Sequence, residues 1–208
     1  MEGVGTLDHA DLGKPAGEFR RRLDVRRQRL DALREGRVGR IDRGAGPAHG
    51  RRRIDRSFEV TSRTLHAVFT ELRDQRVQPE GILLKPNMVL PGYESSSQVP
   101  DDEIANETVR CFLRHVPAAV PGVVFLSGGQ SEEEATRRLN AMNAIGPHPW
   151  KLSFSYGRAL QATALKAWQG KEENVEAAQQ GYYHRAKMNG AATTGTYVPE
   201  LERETVTA

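Results

Sequence analysis

A lysine follows an apolar run in this sequence, and the pairing is typical of an amine that performs chemistry. Gly81-Ile82-Leu83-Leu84 has no charge, which predicts a strand buried in a parallel sheet. Pro86 lacks an amide hydrogen and biases Lys85 toward extended geometry, so we expect the strand Gly81–Lys85 to end there. Desolvation at a strand end favours the neutral amine, which is the nucleophile that forms a Schiff base with a carbonyl group. The alternative is a lysine that only follows a core strand and extends into water.

Two further predicted strands end in residues that suit phosphate binding. Gly122–Leu126 precedes Ser127-Gly128-Gly129, and Trp150–Tyr156 precedes Gly157-Arg158. Glycines let the backbone approach a ligand, free amides at a helix start attract anions, and a guanidinium matches phosphate oxygens. One glycine pair alone indicates only a tight turn. Two such strand ends after a strand that ends in lysine indicate a phosphorylated carbonyl compound as the substrate.

Predicted helices separate these strands and should position their ends. We expect helices at Ser57–Gln75, from Asp101, at Ser131–Asn143, at Ala159–Trp168 and at Lys171–Asn189. The supporting patterns are apolar residues at helical spacing, three acids from Asp101, and a capping box in which Glu134 follows Ser131 by three residues. Alternation of helices and strands predicts an α/β fold with a parallel sheet and right-handed crossovers.

Charge divides the chain into two unlike parts. Residues 1–56 have a net charge of +6 with fourteen arginines and one lysine, whereas residues 57–208 have a net charge of −3. The glycines between Gly36 and Gly50, together with Pro47, argue against a long helix there. We expect residues 1–56 to be poorly ordered, because they contain too few apolar residues to bury. A basic arm for nucleic acid is the alternative, although the segment lacks interleaved aromatic residues and any nucleic-acid-binding motif.

Several classes of protein are disfavoured by the composition. No apolar run reaches the roughly 18–20 residues of a membrane span, and residues 1–17 lack the pattern of a secretory signal. Cys111 is the single cysteine and the six histidines are scattered, so neither a disulfide nor a metal site is expected. We therefore expect a cytoplasmic protein without a metal or another cofactor.

Long ordered motifs between about residues 57 and 197 closely resemble class I fructose-bisphosphate aldolase. They are Glu80-Gly81-Ile82-Leu83-Leu84-Lys85-Pro86-Asn87-Met88-Val89, Phe125-Leu126-Ser127-Gly128-Gly129-Gln130-Ser131-Glu132-Glu133-Glu134-Ala135, Phe154-Ser155-Tyr156-Gly157-Arg158-Ala159-Leu160-Gln161, and Leu165-Lys166-Ala167-Trp168. The resemblance implies an incomplete (β/α)8 barrel made of the last three to four β/α units. Residues 57–197 would form this part, and residues 198–208 would be a polar tail.

The resemblance also implies a reaction. Lys85 would form a Schiff base with the ketone of fructose 1,6-bisphosphate, and cleavage would yield dihydroxyacetone phosphate and glyceraldehyde 3-phosphate, a step of glycolysis. Ser127, Gly128, Gly157 and Arg158 match the residues that bind the phosphate next to the ketone. The route requires no metal or cofactor. The family further implies a homotetramer.

Parts of the family pattern have no match in this chain. The family's general acid is a glutamate on the strand before the lysine strand, but residues 38–50 contain no glutamate, and the family's C-terminal tyrosine is also unmatched. A one-base shift of the codons for residues 43–50 can encode Val-Glu-Pro-Asp-Gln-Pro-Met-Asp, which is close to the missing strand. We therefore hypothesise that the segment before about Ile54 is a shifted reading frame, with a genuine but unusual N-terminal arm as the alternative.

Three functions follow from these observations. The first is an aldolase or a piece of one, and the second is an impaired fragment that binds sugar phosphates without cleaving them. The third is an arginine-rich nucleic-acid binder. Because three or four strands cannot close a barrel, we expect an exposed sheet edge and marginal stability for the chain alone.

Overall fold

Three short parallel strands form the sheet, in the spatial order β1-β2-β3. The computed structural model describes residues 47–92 and 98–203, and of residues 47–53 it describes the backbone only. The strands are β1 (Leu83–Leu84), β2 (Gly122–Phe125) and β3 (Lys151–Phe154). In the register, Leu84 lies opposite Val123 and Phe125 lies opposite Phe154. The predicted α/β class and parallel order are confirmed, and each strand is shorter than predicted.

The described part of the chain contains five α-helices. They are α1 (Pro47–Asp74), α2 (Asp101–His115), α3 (Glu132–Ile145), α4 (Arg158–Trp168) and α5 (Val175–Ala192). Short 3-10 turns occupy Pro79–Gly81, Glu172–Asn174 and Pro199–Arg203. None of the described helices combines the length and the apolar character that crossing a membrane requires.

The capping box predicted before α3 is confirmed. The Ser131 side chain accepts a hydrogen bond from the Glu134 amide at 3.1 Å, and the Glu134 carboxylate accepts one from the Ser131 amide at 2.8 Å. Both of these amide donors are therefore satisfied within the chain.

Helix α1 begins ten residues before the predicted start at Ser57, so that prediction was wrong. Pro47 is the first helical residue, where a missing amide hydrogen has no cost, and Ile54 is only 1% exposed. The expectation that Pro47 and the glycines up to Gly50 argue against a long helix is therefore wrong for residues 47–50, which are helical. Residues 1–46, which include most of the arginine-rich segment, lie outside the described residues, and the boundary after residue 56 stays a prediction.

One face of the sheet packs against the helices. Val123, Phe125 and Leu152 are buried there. The ring of Phe125 stacks on Phe112 of α2 with centroids 5.7 Å apart, and Trp150 meets Phe112 edge-on at 6.5 Å. These large aromatic surfaces form the centre of the core.

The opposite face of the sheet is the more exposed one within residues 47–92 and 98–203. Side chains alternate between the faces of a strand, and Leu83, which precedes the half-buried Leu84, is 64% exposed. The prediction of a fully buried strand at Gly81–Lys85 was therefore wrong. The run is apolar because a parallel strand of this kind is built for two covered faces, and the described residues cover only one.

A polar cluster attaches the C-terminal segment to α5. Glu202, in the 3-10 turn Pro199–Arg203, accepts two hydrogen bonds from Arg185, both at 2.7 Å. It accepts further hydrogen bonds from the Tyr197 hydroxyl at 2.9 Å and from the His184 ring at 3.1 Å. The Arg185 side chain is 5% exposed, so its charge depends on this carboxylate. The sequence analysis treated residues 198–208 as a polar tail and missed this attachment.

The cluster shifts the proton affinities of its members. Burial raises the pKa of Glu202, but hydrogen bonds from Arg185, Tyr197 and His184 outweigh burial, so the pKa lies below its ordinary value. Burial, together with the hydrogen bond to Glu202 and its charge, raises the pKa of Tyr197 to about 12. The ionised Glu202 is therefore the form that the fold stabilises.

We predict that Glu202→Gln lowers the free energy of unfolding by about 2 kcal/mol at neutral pH, since a hydrogen-bonded charge is lost beside a buried guanidinium. A depressed pKa in the folded state contributes stability above the pKa of the unfolded state, and this contribution disappears as the pH falls through the folded value. The difference between the two proteins should therefore shrink below the ordinary glutamate pKa of 4.5. Urea unfolding of both proteins at several pH values measures this difference in unfolding free energy.

The matched control is Glu200→Gln, because Glu200 belongs to the same turn and is exposed. This control should unfold like the unchanged protein. Equal effects of the two substitutions, or a difference that does not depend on pH, would show that the Glu202 cluster does not hold the segment.

Candidate functional site

Hydrogen bonds beyond the strands bring the three strand ends to one edge of the sheet. The Leu126 amide donates to the Pro86 carbonyl at 2.9 Å, and the Ser155 amide donates to the Phe125 carbonyl at 2.8 Å. The parallel register therefore continues past the last residue of β1 and β2. The segments that follow β1, β2 and β3 are neighbours, as the sequence predicted.

Lys85 follows β1 directly and is exposed. The expectation of a desolvated amine is therefore wrong for the described part of the chain. Its place in the register is level with Val124, three residues before Ser127, which corresponds to roughly 10 Å along the strands. Since Leu84 lies level with the buried Val123, alternation directs Lys85 toward the uncovered face of the sheet. Water reaches the amine because helices cover only the other face.

The segment after β2 is a tight turn. The Gln130 amide donates to the Ser127 carbonyl at 3.2 Å, and Gly129 has a φ of 79°. A positive φ at the third turn position, with no such value at Gly128, defines a type II turn. Only glycine adopts this conformation without strain, so the glycine at position 129 has a clear conformational reason.

The start of α3 suits an anion less well than the sequence analysis expected. The capping box of Ser131 and Glu134 occupies the helix end. Glu132, Glu133 and Glu134 also lie in the first turn and repel an anion. An anion bound after β2 would therefore contact the turn Ser127–Gln130 rather than the start of α3.

The start of α4 is different and suits an anion. Gly157 is the N-cap residue and no side chain caps the helix, and the first turn contains no acidic residue. Arg158 is the first helical residue and, like Gly157, is exposed. A Cβ atom at Gly157 would meet nothing within 4 Å, so packing does not require a glycine there. An uncapped helix end next to a guanidinium is a suitable place for a phosphate group.

Asn87 joins the segment after β1 to the turn after β2, and the sequence analysis missed it. Its side-chain amide donates to the Gly128 carbonyl at 3.1 Å, and its side-chain oxygen accepts from the Met88 amide at 2.9 Å. An asparagine two residues after the candidate amine was visible in the sequence. Its partner was not, because 41 residues separate the two positions.

Arg138 contacts the last residue of the same turn. Its guanidinium donates to Asp101 at 2.8 Å and to the Gln130 and Glu134 side chains at 3.2 Å, and the residue is 8% exposed. Asp101 also accepts from Arg137 at 2.7 Å. These bonds hold the last residue of the turn against α2 and α3.

A cleft of about 1120 Å³ lies next to this turn. Its lining includes Asn87, Gly128 and Gly129, but none of the other predicted site residues. Within residues 54–92 and 98–203, histidine, cysteine, aspartate and glutamate side chains do not form a group of three that could hold a metal ion.

Comparisons with known proteins agree with the motifs. The family model "Fructose-bisphosphate aldolase class-I" matches residues 48–208. The chain is 59% identical over 145 residues to the cytosolic fructose-bisphosphate aldolase 4 of Arabidopsis thaliana, which covers 69% of this chain and 37% of that protein. It is 53% identical over 150 residues to the fructose-bisphosphate aldolase of Plasmodium falciparum, covering 72% of this chain and 41% of that protein.

A solved structure agrees as well. The Plasmodium falciparum fructose-bisphosphate aldolase, crystallised with TRAP and a small molecule inhibitor, matches with a TM-score of 0.68 and 53% sequence identity, over 70% of this chain and 42% of that chain. The chain thus spans about two fifths of the length of the curated relatives that it matches. With a family model that matches most of its length and relatives that share more than half of the aligned residues, the chain belongs to the class I fructose-bisphosphate aldolase family.

Proposed function

We propose that this chain supplies the Schiff-base half of a class I fructose-bisphosphate aldolase active site, with Lys85 as the nucleophile. The observation that supports this most is the common sheet edge, where the end of β1 with Lys85 adjoins the turn Ser127–Gln130 and the uncapped start of α4. Such an edge is where active sites of β/α barrels are built. Family membership supplies the reaction.

In the proposed reaction, the Lys85 amine attacks the ketone carbon of fructose 1,6-bisphosphate, and loss of water leaves a protonated imine. The hydroxyl of the fourth carbon gives its proton to water and becomes the aldehyde, while the electron pair of the bond between the third and fourth carbons moves to the cationic imine, which gives an enamine and glyceraldehyde 3-phosphate. Protonation of the enamine carbon and hydrolysis of the imine release dihydroxyacetone phosphate and restore the amine. None of these steps uses a metal or a cofactor.

Ser127, Gly128, Gly157 and Arg158 bind the phosphate next to the ketone in this proposal. The type II turn and the uncapped end of α4 provide backbone amides, and Arg158 provides a planar cation. The ketone carbon and the phosphate of the substrate are a few ångströms apart, so the substrate and the lysine side chain together span the roughly 10 Å between the levels of Lys85 and Ser127.

The same proposal accounts for the uncovered sheet face. In an eight-stranded barrel that face lines the interior, where neighbouring strands would surround Lys85 and remove water from it. We propose that the described residues form the last three β/α units of such a barrel. The glycolytic step, a cytoplasmic location like that of the cytosolic relatives, and a homotetramer belong to the same proposal.

A second candidate function is binding of sugar phosphates without cleavage. Two observations favour it: Lys85 is exposed, and residues 38–50 contain no glutamate to act as the general acid. General acid–base catalysis typically contributes a factor of about 10²–10⁴ in rate. The two functions therefore differ in turnover more than in binding.

We predict that borohydride traps dihydroxyacetone phosphate on the unchanged chain and not on Lys85→Ala, because only the Lys85 amine forms the imine. Mass spectrometry of the intact protein and its peptides measures the adduct. Lys151→Ala is the matched control, since Lys151 is an exposed lysine at the opposite end of the sheet and should leave trapping unchanged.

Coupled cleavage of fructose 1,6-bisphosphate then separates the two candidate functions. Trapping together with cleavage that Lys85→Ala abolishes supports the aldolase. Trapping without cleavage supports the binding protein. An adduct on a lysine other than Lys85 would contradict both.

We predict that Arg158→Ala raises the dihydroxyacetone phosphate concentration for half-maximal trapping by about 10–100-fold, because a charge-assisted contact to phosphate is lost. Arg158→Lys should have a smaller effect, since it keeps the charge and loses the planar geometry. Arg73→Ala, at an exposed arginine of α1, is the control. Equal half-maximal concentrations for all of these proteins would argue against Arg158 as a phosphate ligand.

A further inference from the structure

We propose that Asn87 is a positioning residue that sets the orientation of the Gly128–Gly129 peptide and so fixes the phosphate-binding turn relative to Lys85. The inference rests on the proposed function, because it concerns how that site is arranged. It adds a residue outside the four phosphate ligands and the nucleophile.

The first observation is that the Asn87 side chain takes the place of a backbone hydrogen-bond acceptor where the ladder between β1 and β2 ends. The last backbone bond of the ladder joins the Leu126 amide to the Pro86 carbonyl at 2.9 Å. The next amide, that of Met88, donates instead to the Asn87 side-chain oxygen at 2.9 Å. This local bond fixes the orientation of the Asn87 carboxamide, which is a two-sided group with an acceptor and a donor end.

The second observation is the target of the donor end. The Asn87 amide donates to the Gly128 carbonyl at 3.1 Å. The Gly128 carbonyl belongs to the central peptide of the type II turn. This peptide has opposite orientations in type I and type II turns. A donor on one side of the turn therefore selects the orientation in which the carbonyl faces Asn87.

The consequence for a ligand follows from peptide geometry. The carbonyl and the N–H of a trans peptide point in opposite directions, so holding the Gly128 carbonyl directs the Gly129 N–H away from Asn87. Gly129 is exposed, and its φ of 79° is the value that this orientation requires. A preset donor needs no rearrangement when an anion binds.

The third observation is the short covalent path to the nucleophile. Asn87 is two residues from Lys85, and the intervening Pro86 has a restricted φ and holds the Leu126 amide. Lys85 and the turn are therefore connected through a proline, a fixed carboxamide and one hydrogen bond. A change at Asn87 alters the phosphate site without removing the amine or any proposed phosphate ligand.

The test uses Asn87→Asp in the full chain, because aspartate has the same shape and cannot donate to the Gly128 carbonyl when ionised. Asn106→Asp is the matched control, since the exposed Asn106 also donates to a backbone carbonyl, that of Asp102 at 2.8 Å, on the outside of α2. Borohydride trapping is measured with dihydroxyacetone phosphate and with dihydroxyacetone, which lacks the phosphate. Binding of inorganic phosphate is measured by NMR titration of the Gly129 amide.

We expect Asn87→Asp to lower the trapping rate at low dihydroxyacetone phosphate and the affinity for inorganic phosphate by about tenfold, the effect of one hydrogen bond. Trapping of dihydroxyacetone should stay unchanged, and Asn106→Asp should match the unchanged chain in every measurement. A general structural defect would instead lower trapping of both ketones. Asn87→Ser, which is smaller and uncharged, should show the same selective loss.

Unchanged phosphate affinity in Asn87→Asp, or an equal loss with both ketones, would overturn the role of Asn87. The proposed function fails separately, when the unchanged chain forms no adduct on Lys85. The phosphate titration does not depend on imine formation and decides the role of Asn87 in that case as well.

Discussion

The parallel register of β1, β2 and β3 is the constraint on which the rest of this molecule depends. Two backbone bonds beyond the strands, at Pro86 and Phe125, keep the register to the edge of the sheet. A shift of one residue in β1 would turn Lys85 toward the helices, and a shift in β2 would move Ser127 relative to Lys85. The stacking of Phe112 on Phe125 opposes a shift in β2, because a one-residue shift would turn Phe125 away from α2. Core packing and the placement of the candidate site thus both depend on the strand register.

Burial on a single face explains most of what is unusual about the sheet. Phe125 and Val123 are fully buried, whereas Leu83 is 64% exposed. The sequence of β1 is apolar throughout, as expected for a strand with two covered faces. A lysine next to such a strand becomes a strong nucleophile only if its surroundings exclude water. Lys85 and the turn after β2 therefore lie at the same edge of the sheet. The hydration of the Lys85 amine depends on what covers the open face.

Local patterns in the sequence predicted the local structure well. Ser131 and Glu134 form the expected capping box, and Gly129 occupies the turn position whose positive φ requires a glycine. Alternation of helices and strands correctly predicted the parallel order. The family motifs led to the same edge of the sheet. The capping box and the turn are each determined by residues that lie within a few positions of one another.

Features that depend on distant residues could not be predicted. The exposure of Lys85 reflects missing cover on one face, and no property of Gly81–Lys85 reveals it. The bonds of Asn87 to Gly128 and of Arg185 to Glu202 span 41 and 17 residues, and polar side chains of these types are usually solvated. The first pair joins two loops at the sheet edge, and the second attaches the C-terminal segment to α5. Loops that are fixed in this way can hold functional groups accurately, so an asparagine outside the reacting groups can control a site by orienting its backbone.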